Sequence, residues 1–257
     1  MQRDHDYDVL ITETLGHAAA ATGLIAQSLK FDGAVTLQIQ GSGALQMLVM
    51  QCTSDLHVRG MAVMEEGAAA GSFADLTDNA HCAITVDAGE RPYQGIVEIQ
   101  GESLSSSLEH YFDRSVQVPS HVVLVANESV AGGIFLQQMP GQSIDEDDWN
   151  RLHLLLETLT TKDFDIDTGL DLISKLFAED DVRVRGPRAL KFRCRCSNQK
   201  VEDVLKMLGE KESREALEDR DSIEVVCEYC GEKRSFDSVD VGRLFADNVL
   251  KGPESVQ

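Results

Sequence analysis

The sequence predicts an α+β protein with a mostly antiparallel sheet core that carries helices, followed by a helical linker and a small C-terminal module. Three observations lead to this fold class. Apolar residues alternate with the period of strands in the first half, they recur with the period of helices after residue 148, and four of the six cysteines lie between positions 194 and 230. The predicted domains are a core at 1–147, a linker at 148–186 and a C-terminal domain at 187–257.

The core is predicted from short strands separated by turn residues. Alternation on both sides of the turn Gly41-Ser42-Gly43 indicates an antiparallel hairpin, with Val35, Leu37 and Ile39 before the turn and Met47 and Val49 after it. Two helices interrupt the strands, an alanine-rich one at Ala18–Leu29 and an amphipathic one at Ser103–Ser115. Further strands are predicted at Val58–Met64, Cys82–Val86, Gly95–Gln100, Val122–Val125 and Gly133–Met139.

The linker is predicted from leucines at helical spacing. They mark two amphipathic helices, one through Leu152, Leu155, Leu156 and Leu159 and one through Leu170, Ile173, Leu176 and Phe177. Because many charges surround a modest apolar stripe, we expect these helices to be among the less stable parts of the protein.

The C-terminal domain is predicted to be small and mixed. Its elements are a short strand at Leu190–Phe192, a helix that ends at Gly209, a second helix at Glu212–Glu218, a hairpin of Ile223–Val226 and Lys233–Phe236, and a last helix capped by Asp237 or Ser238.

Four cysteines of this domain form two close pairs, Cys194-x-Cys196 and Cys227-x-x-Cys230. Each pair can present two thiolates to one ion, and four sulfurs in tetrahedral geometry favour zinc or iron. Gly231 follows the second pair, where a positive φ would turn a knuckle around a metal. The pattern therefore predicts one zinc ion bound by Cys194, Cys196, Cys227 and Cys230. An iron–sulfur cluster, a purely structural zinc and four unrelated thiols are the alternatives.

The surroundings of the cysteines bear on their chemistry. A site with four protein ligands has no open position for catalysis. Arg193, Arg195, Lys233 and Arg234 lie close in the sequence and favour thiolate character, which makes the sulfurs oxidisable. Cys52 and Cys82 share strand faces with apolar residues, and we expect them to be thiols of the core.

Composition argues against some partners. The net charge is −21, from 44 acidic and 23 basic residues, so nucleic acid should be repelled. No window has the run of apolar residues that a membrane span needs, and the start MQRDHDYDVL carries acids where a signal peptide needs an apolar run. We therefore expect a cytoplasmic protein without membrane or nucleic-acid partners.

Motifs along nearly the whole chain resemble the heat-shock protein 33 family of redox-regulated chaperones. The cysteine spacing is one of them, and the others are LKFDG at 29–33, LQIQGSG at 37–43, RG at 59–60, YQGIVEIQG at 93–101, LSSSLEHYFDRSVQVPS at 104–120, AGGIFLQQMP at 131–140 and LFAEDDVRV at 176–184.

The resemblance implies an ATP-independent holdase, not an enzyme, that is inactive while reduced and zinc-bound. Oxidation would form the disulfides Cys194–Cys196 and Cys227–Cys230, release the zinc and unfold the linker. The active protein would bind unfolded or aggregation-prone clients under stress, as a homodimer.

Two other functions compete with this interpretation. A zinc ribbon that binds nucleic acid is disfavoured because residues 191–234 interleave both charge signs. A thiol-disulfide oxidoreductase would place Cys227-x-x-Cys230 at the start of a helix, whereas Gly231 and a strand are predicted to follow it.

Overall fold

The structure is a computed structural model that describes residues 7–89, 92–139, 141, 144–166, 168–218 and 220–250. Its strands are β1 (Ala34–Gln40), β2 (Leu45–Thr53), β3 (His57–Met64), β4 (His81–Asp87), β5 (Tyr93–Glu98), β6 (Ser120–Ala126), β7 (Ala131–Gln137), β8 (Lys191–Phe192), β9 (Ser222–Val226) and β10 (Lys233–Asp237). Its α-helices are α1 (Val9–Ser28), α2 (Phe73–Leu76), α3 (Leu104–Tyr111), α4 (Glu146–Glu157), α5 (Thr161–Ile166), α6 (Gly169–Leu176), α7 (Asn198–Leu208), α8 (Glu210–Glu215) and α9 (Ser238–Leu250).

The central sheet has six strands in the order β5-β4-β1-β2-β3-β8. Its neighbours are antiparallel except for β8, which is parallel to β3. The predicted α+β fold with a mostly antiparallel sheet is confirmed. Val35, Leu37 and Ile39 of β1 are fully buried, as their alternation predicts.

The core face of β2 is the one that carries Cys52, as expected for a core thiol. The register pairs Val35 with Cys52, Leu37 with Met50 and Ile39 with Leu48, so the buried partners are Leu48, Met50 and Cys52. Met47 and Val49, whose alternation indicated the hairpin, lie on the opposite, half-buried face. Both sets of residues alternate in the sequence, and only the cross-strand register decides which set faces the core.

Helix α1 packs against both the central sheet and the separate β6–β7 hairpin. It begins at Val9, earlier than predicted, because the Asp8 carboxylate caps it by accepting a 2.9 Å hydrogen bond from the Ile11 N–H. A Cβ at Gly16 would lie 2.6 Å from Ala126 Cβ, so glycine permits the close approach of α1 to β6. Among the described residues, α1 is the one helix long and apolar enough to cross a membrane, and 56% of its most apolar stretch is buried inside the protein.

The segment after α3 also departs from the sequence pattern. Ser103 caps α3 as an N-cap, accepting a hydrogen bond from the Ser106 N–H. The chain then continues from Phe112 to Val116 as a π-helical turn, where an α-helix to Ser115 was predicted. Gln117, in the left-handed region at φ 58°, ends this turn.

The linker contains three described helices, α4 to α6, where two were predicted. The extra helix arises because the Asp163 carboxylate accepts hydrogen bonds of 2.8 Å from both the N–H and the hydroxyl of Thr160 and so starts α5 after a break. Two rings of α4, Trp149 and His153, stack on His121 of β6 with centroid separations of 4.4 and 4.2 Å. These contacts attach α4 to the β6–β7 hairpin.

The chain forms two compact units, of which one extends to Arg193 and the other begins at Cys194. This division differs from the predicted boundary at residue 187, because the segment before Cys194 completes the sheet. The Lys191 N–H donates to Leu56 O at 2.9 Å and the Arg193 N–H donates to Val58 O at 3.0 Å. In the structure the linker helices fall within the first unit. We call the two parts the sheet unit and the cysteine unit.

Candidate metal centre

The four predicted cysteines reach the site from two segments of the cysteine unit. Cys194 and Cys196 lie on the irregular segment that precedes α7, and the Ser197 hydroxyl caps that helix by accepting a hydrogen bond from the Lys200 N–H at 3.3 Å. Cys227 and Cys230 lie in the tight connection between β9 and β10. The antiparallel register of this hairpin and the capped start of α7 therefore define where the sulfurs stand.

The connection between β9 and β10 is a knuckle closed by backbone hydrogen bonds. Cys227 O accepts from the Gly231 N–H at 2.7 Å and from the Cys230 N–H at 3.3 Å, while the Cys227 N–H donates to Glu232 O at 3.0 Å. Gly231 has φ 69°, which confirms the positive φ predicted for it. The knuckle folds both sulfurs of this pair toward the same side.

The ligand atoms of Cys194, Cys196, Cys227 and Cys230 all lie within 4.8 Å of one another. The Sγ atoms of Cys194 and Cys227 are 3.6 Å apart, and those of Cys196 and Cys230 are 3.5 Å apart. Sulfurs about 2.3 Å from a central zinc ion would be about 3.8 Å apart, whereas a disulfide needs about 2.05 Å. The donor set and its spacing therefore fit a metal ion held by four thiolates.

The protonation of the thiols reflects this crowding. Burial raises the pKa of Cys194, but hydrogen bonds from the Cys196 backbone and from the thiols of Cys196, Cys230 and Cys227 outweigh it and hold the pKa below its ordinary value. Burial raises the pKa of Cys196, against the hydrogen bond from Arg234, and raises the pKa of Cys230 to about 12. The neighbouring thiols thus favour the thiolate form of Cys194 by donating to it, and a bound cation would favour the thiolate form of all four.

A basic and an acidic side chain flank Cys196. Arg234 of β10 places Nη2 3.6 Å from Cys196 Sγ, as expected for a basic residue beside the thiols. Glu232, which was not singled out in the sequence, lies with Oε2 3.4 Å from the same sulfur and with Oε1 3.0 Å from Arg234 Nη2. In the sequence, Glu232 stands between the second cysteine pair and the basic residues Lys233 and Arg234, and this position was the signal that could have identified it.

The two remaining cysteines lie in the core of the sheet unit. Cys52 and Cys82 are fully buried, which confirms the expectation that they are core thiols. Burial raises the pKa of Cys52 to about 11, against the charge of Arg188, and raises the pKa of Cys82 to about 12. Neither thiol belongs to the four-sulfur cluster.

Comparisons with known proteins agree with this architecture. The family model described as Hsp33 protein matches residues 1–237. The 33 kDa chaperonin of Nitrosococcus oceani is 39% identical over 246 residues, covering 95% of this chain and 85% of that protein. The 33 kDa chaperonin of Methylobacillus flagellatus is 37% identical over 251 residues, covering 96% and 86%.

A solved structure shares the fold. The crystal structure of the 33 kDa chaperonin of Thermotoga maritima matches with a TM-score of 0.83 at 22% identity, covering 97% of this chain and 90% of that one. The relatives are chaperones and not enzymes by name, as was expected for this protein. On the extent of the family match and the identity to these relatives, the chain belongs to the Hsp33 family of chaperones.

Proposed function

We propose that this chaperone is a redox-regulated, ATP-independent holdase whose switch is the four-cysteine centre, with one zinc ion per chain in the reduced state. The observation that carries the proposal is the cluster of four sulfurs within 4.8 Å in a unit that buries little apolar surface. Such a unit depends on ligation for its folding, so any reaction that removes the ligands also removes the fold.

Zinc is the proposed ion because of the donor chemistry. Soft thiolates favour zinc, copper(I) or iron–sulfur clusters over hard cations, and four sulfurs from one closed site suit a tetrahedral ion. When bound, the ion would offset part of the negative charge of the thiolates and cross-link the segment before α7 to the β9–β10 hairpin. Cys194 and Cys196 would hold it from one side and Cys227 and Cys230 from the other.

Oxidation by hydrogen peroxide would consume these ligands. One thiolate of a pair attacks a peroxide oxygen, the O–O bond breaks, and hydroxide leaves and takes up a proton to become water, so that a sulfenic acid remains. The second thiolate of the pair attacks this sulfur, and the departing hydroxide takes a second proton. Each pair thus loses two electrons, and the family resemblance assigns the pairs as Cys194–Cys196 and Cys227–Cys230. A disulfide no longer serves as two thiolate ligands, so the protein releases the ion.

Loss of the ligands would expose surface for clients. The described linker helices already carry exposed apolar residues, including Leu154 and Leu170, beside a small number of buried ones. Unfolding of the cysteine unit and the linker would add to this surface, and an apolar surface binds unfolded chains. The proposal includes a homodimer in the oxidised state, a role in stress in the cytoplasm, and no membrane or nucleic-acid partner, the last supported by the net charge of −21.

One experiment tests the core of this proposal. Zinc content and suppression of citrate synthase aggregation are measured on the same preparation before and after peroxide, without nucleotide. We expect one zinc per chain and no suppression in the reduced protein, and no zinc with full suppression after oxidation. Equal suppression by the reduced and oxidised proteins would refute the redox switch.

A further inference from the structure

We propose that Arg234 is a positioning residue of the metal centre that determines how firmly Cys196 holds the ion. It does so by donating an N–H to the Cys196 sulfur and by neutralising the Glu232 carboxylate beside that sulfur. The inference rests on the proposed metal binding and adds a residue that the cysteine pattern does not contain.

The guanidinium of Arg234 connects three groups. Its Nη2 lies 3.6 Å from Cys196 Sγ and 3.0 Å from Glu232 Oε1, and its Nη1 donates to Asn198 Oδ1 at the start of α7. The Arg234 side chain is only 16% exposed although it is charged. The planar guanidinium carries several N–H donors in fixed directions, so one arginine side chain can donate to several acceptors at once.

The two cysteine pairs differ in how they are held. Cys227 and Cys230 lie in a knuckle that its own backbone hydrogen bonds close. Cys196 lies on the segment before α7, and Arg234 of β10 contacts both Cys196 on this segment and Asn198, the first residue of α7. Arg234 is thus a side-chain link between the two segments that supply the ligands.

Electrostatics gives the second reason. Four thiolates outweigh the charge of a divalent cation, so the loaded centre is anionic. The Glu232 carboxylate, with Oε2 3.4 Å from Cys196 Sγ, adds a further negative charge beside this anionic centre. Arg234 lies against both the carboxylate and the sulfur, and its positive charge makes this neighbourhood compatible with a thiolate ligand.

The test measures transfer of zinc to a chromogenic chelator from the reduced, full-length protein. We expect Arg234→Gln to lose zinc about 10- to 100-fold faster than wild type, the usual range for a partner of a metal ligand. Arg214→Gln is the matched control, because Arg214 of α8 also pairs with a glutamate, Glu210 at 2.7 Å, away from the sulfurs. This control should release zinc at the wild-type rate.

A double variant separates the proposed role from a general loss of structure. The double variant Glu232→Gln with Arg234→Gln removes the carboxylate together with its counter-ion. It should regain most of the zinc retention that Arg234→Gln alone loses. Arg234→Lys keeps the charge without the planar fork and should fall between wild type and Arg234→Gln. Absence of any recovery in the double variant would overturn the electrostatic role of Arg234.

A spectroscopic readout isolates the hydrogen bond to sulfur. With cobalt(II) in place of zinc, the thiolate-to-metal charge-transfer band of Arg234→Gln should shift from that of wild type, because the Cys196 sulfur loses a donor. Unchanged zinc transfer and an unchanged band in Arg234→Gln would refute the inference alone. A wild-type protein that binds no metal would instead refute the proposed function on which the inference rests.

Discussion

The sheet unit and the cysteine unit obtain their stability from different sources. In the sheet unit, one contiguous cluster of buried apolar residues runs through α1, β1 to β6 and α3. In the described part of the cysteine unit, the buried cluster has four members, Leu205, Phe236, Val241 and Leu244. A core of this size supplies little of the free energy needed to order a chain, so the cysteine unit needs a further source of stability.

The difference explains why the proposed redox switch would lie in the cysteine unit. The free energy of an apolar core does not change when a thiol is oxidised, whereas metal ligation is lost with the thiolates. Cys52 and Cys82 of the sheet unit are shielded by the core and have raised pKa values, so they resist the same oxidants. Under the proposed mechanism, oxidation would therefore unfold the cysteine unit and leave the sheet unit folded.

Removal of the metal should have the largest effect. Cys227→Ser leaves three sulfur ligands, and we expect the cysteine unit to lose on the order of 10 kcal/mol of folding free energy, the scale of structural zinc sites. Hydrogen exchange should then show loss of protection in α7, β9 and β10 while β1 and β2 stay protected.

The matched control for this change is Cys82→Ala, which removes a buried thiol of the sheet unit. Its zinc content should equal that of wild type. Equal loss of protection in both units after Cys227→Ser would contradict the separation of their stabilities.

Truncation of a buried side chain in the sheet unit should destabilise that unit and leave the cysteine unit unchanged. Leu37 is fully buried between β2 and β4, where it pairs with Met50 and Ile84. Leu37→Ala should cost the sheet unit about 2–5 kcal/mol, through lost burial and the cavity that remains. Urea unfolding followed by circular dichroism measures this cost, and zinc content should stay at the wild-type level. A parallel loss of zinc at low urea would show that the units are coupled.

Removal of one helix N-cap in each unit gives a matched pair of variants with a smaller expected loss of stability. Ser197 caps α7 in the cysteine unit, and Ser103 caps α3 in the sheet unit. Each Ser→Ala change should cost about 1 kcal/mol in its own unit. Of the two variants, only Ser197→Ala should speed zinc transfer to a chelator, because Ser197 directly follows Cys196 and caps α7. If Ser103→Ala had the same effect on zinc transfer, metal retention would not be local to the cysteine unit.

Acidification should have the smallest effect, and it concerns how α4 is held. Burial lowers the pKa of His121, the charge of His153 lowers it further, and Glu157 opposes both. The docked histidine therefore binds fewer protons than the undocked one, so docking of α4 loses stability as the pH falls below about 6.5. Within the described structure His121 Nε2 is buried without a hydrogen-bond partner, which leaves an added proton there without an acceptor.

The neighbouring Glu109 carboxylate limits this loss of docking stability. Glu109 Oε1 lies 3.7 Å from His121 Nδ1, and burial raises the pKa of Glu109, so its protonation favours the docked form at lower pH.

Trp149 is the only tryptophan and stacks on His121, so its emission should shift to the red between pH 7.5 and 5.5 as α4 loosens. His121→Phe keeps an aromatic ring without a titrating group and should abolish the shift. A shift that persists in this variant would assign it to another group.

Much of the fold could be predicted because periodicity is a local property of the chain. The β1–β2 hairpin, the strands β3 to β7 and the β9–β10 hairpin were found from alternation and turn residues. The start of α1 and the number of linker helices were wrong, because single side chains decide them, Asp8 in one case and Asp163 in the other. The alternation of β2 left two apolar faces, and only the pairing with the distant residues of β1 fixes which of them meets the buried face of β1.

The sequence by itself determined the candidate ligand set, since two close cysteine pairs and a following glycine favour four sulfurs around one metal ion. Only the tertiary structure decided which sulfurs meet across the pairs, Cys194 with Cys227 and Cys196 with Cys230, and which side chains surround them. It also decided that β8 completes the sheet and that Arg234 and Glu232 both reach Cys196. The physical reason is that ligand chemistry depends on residue type, whereas the distance between residues far apart in the chain depends on packing and hydrogen bonds that form only in the folded protein.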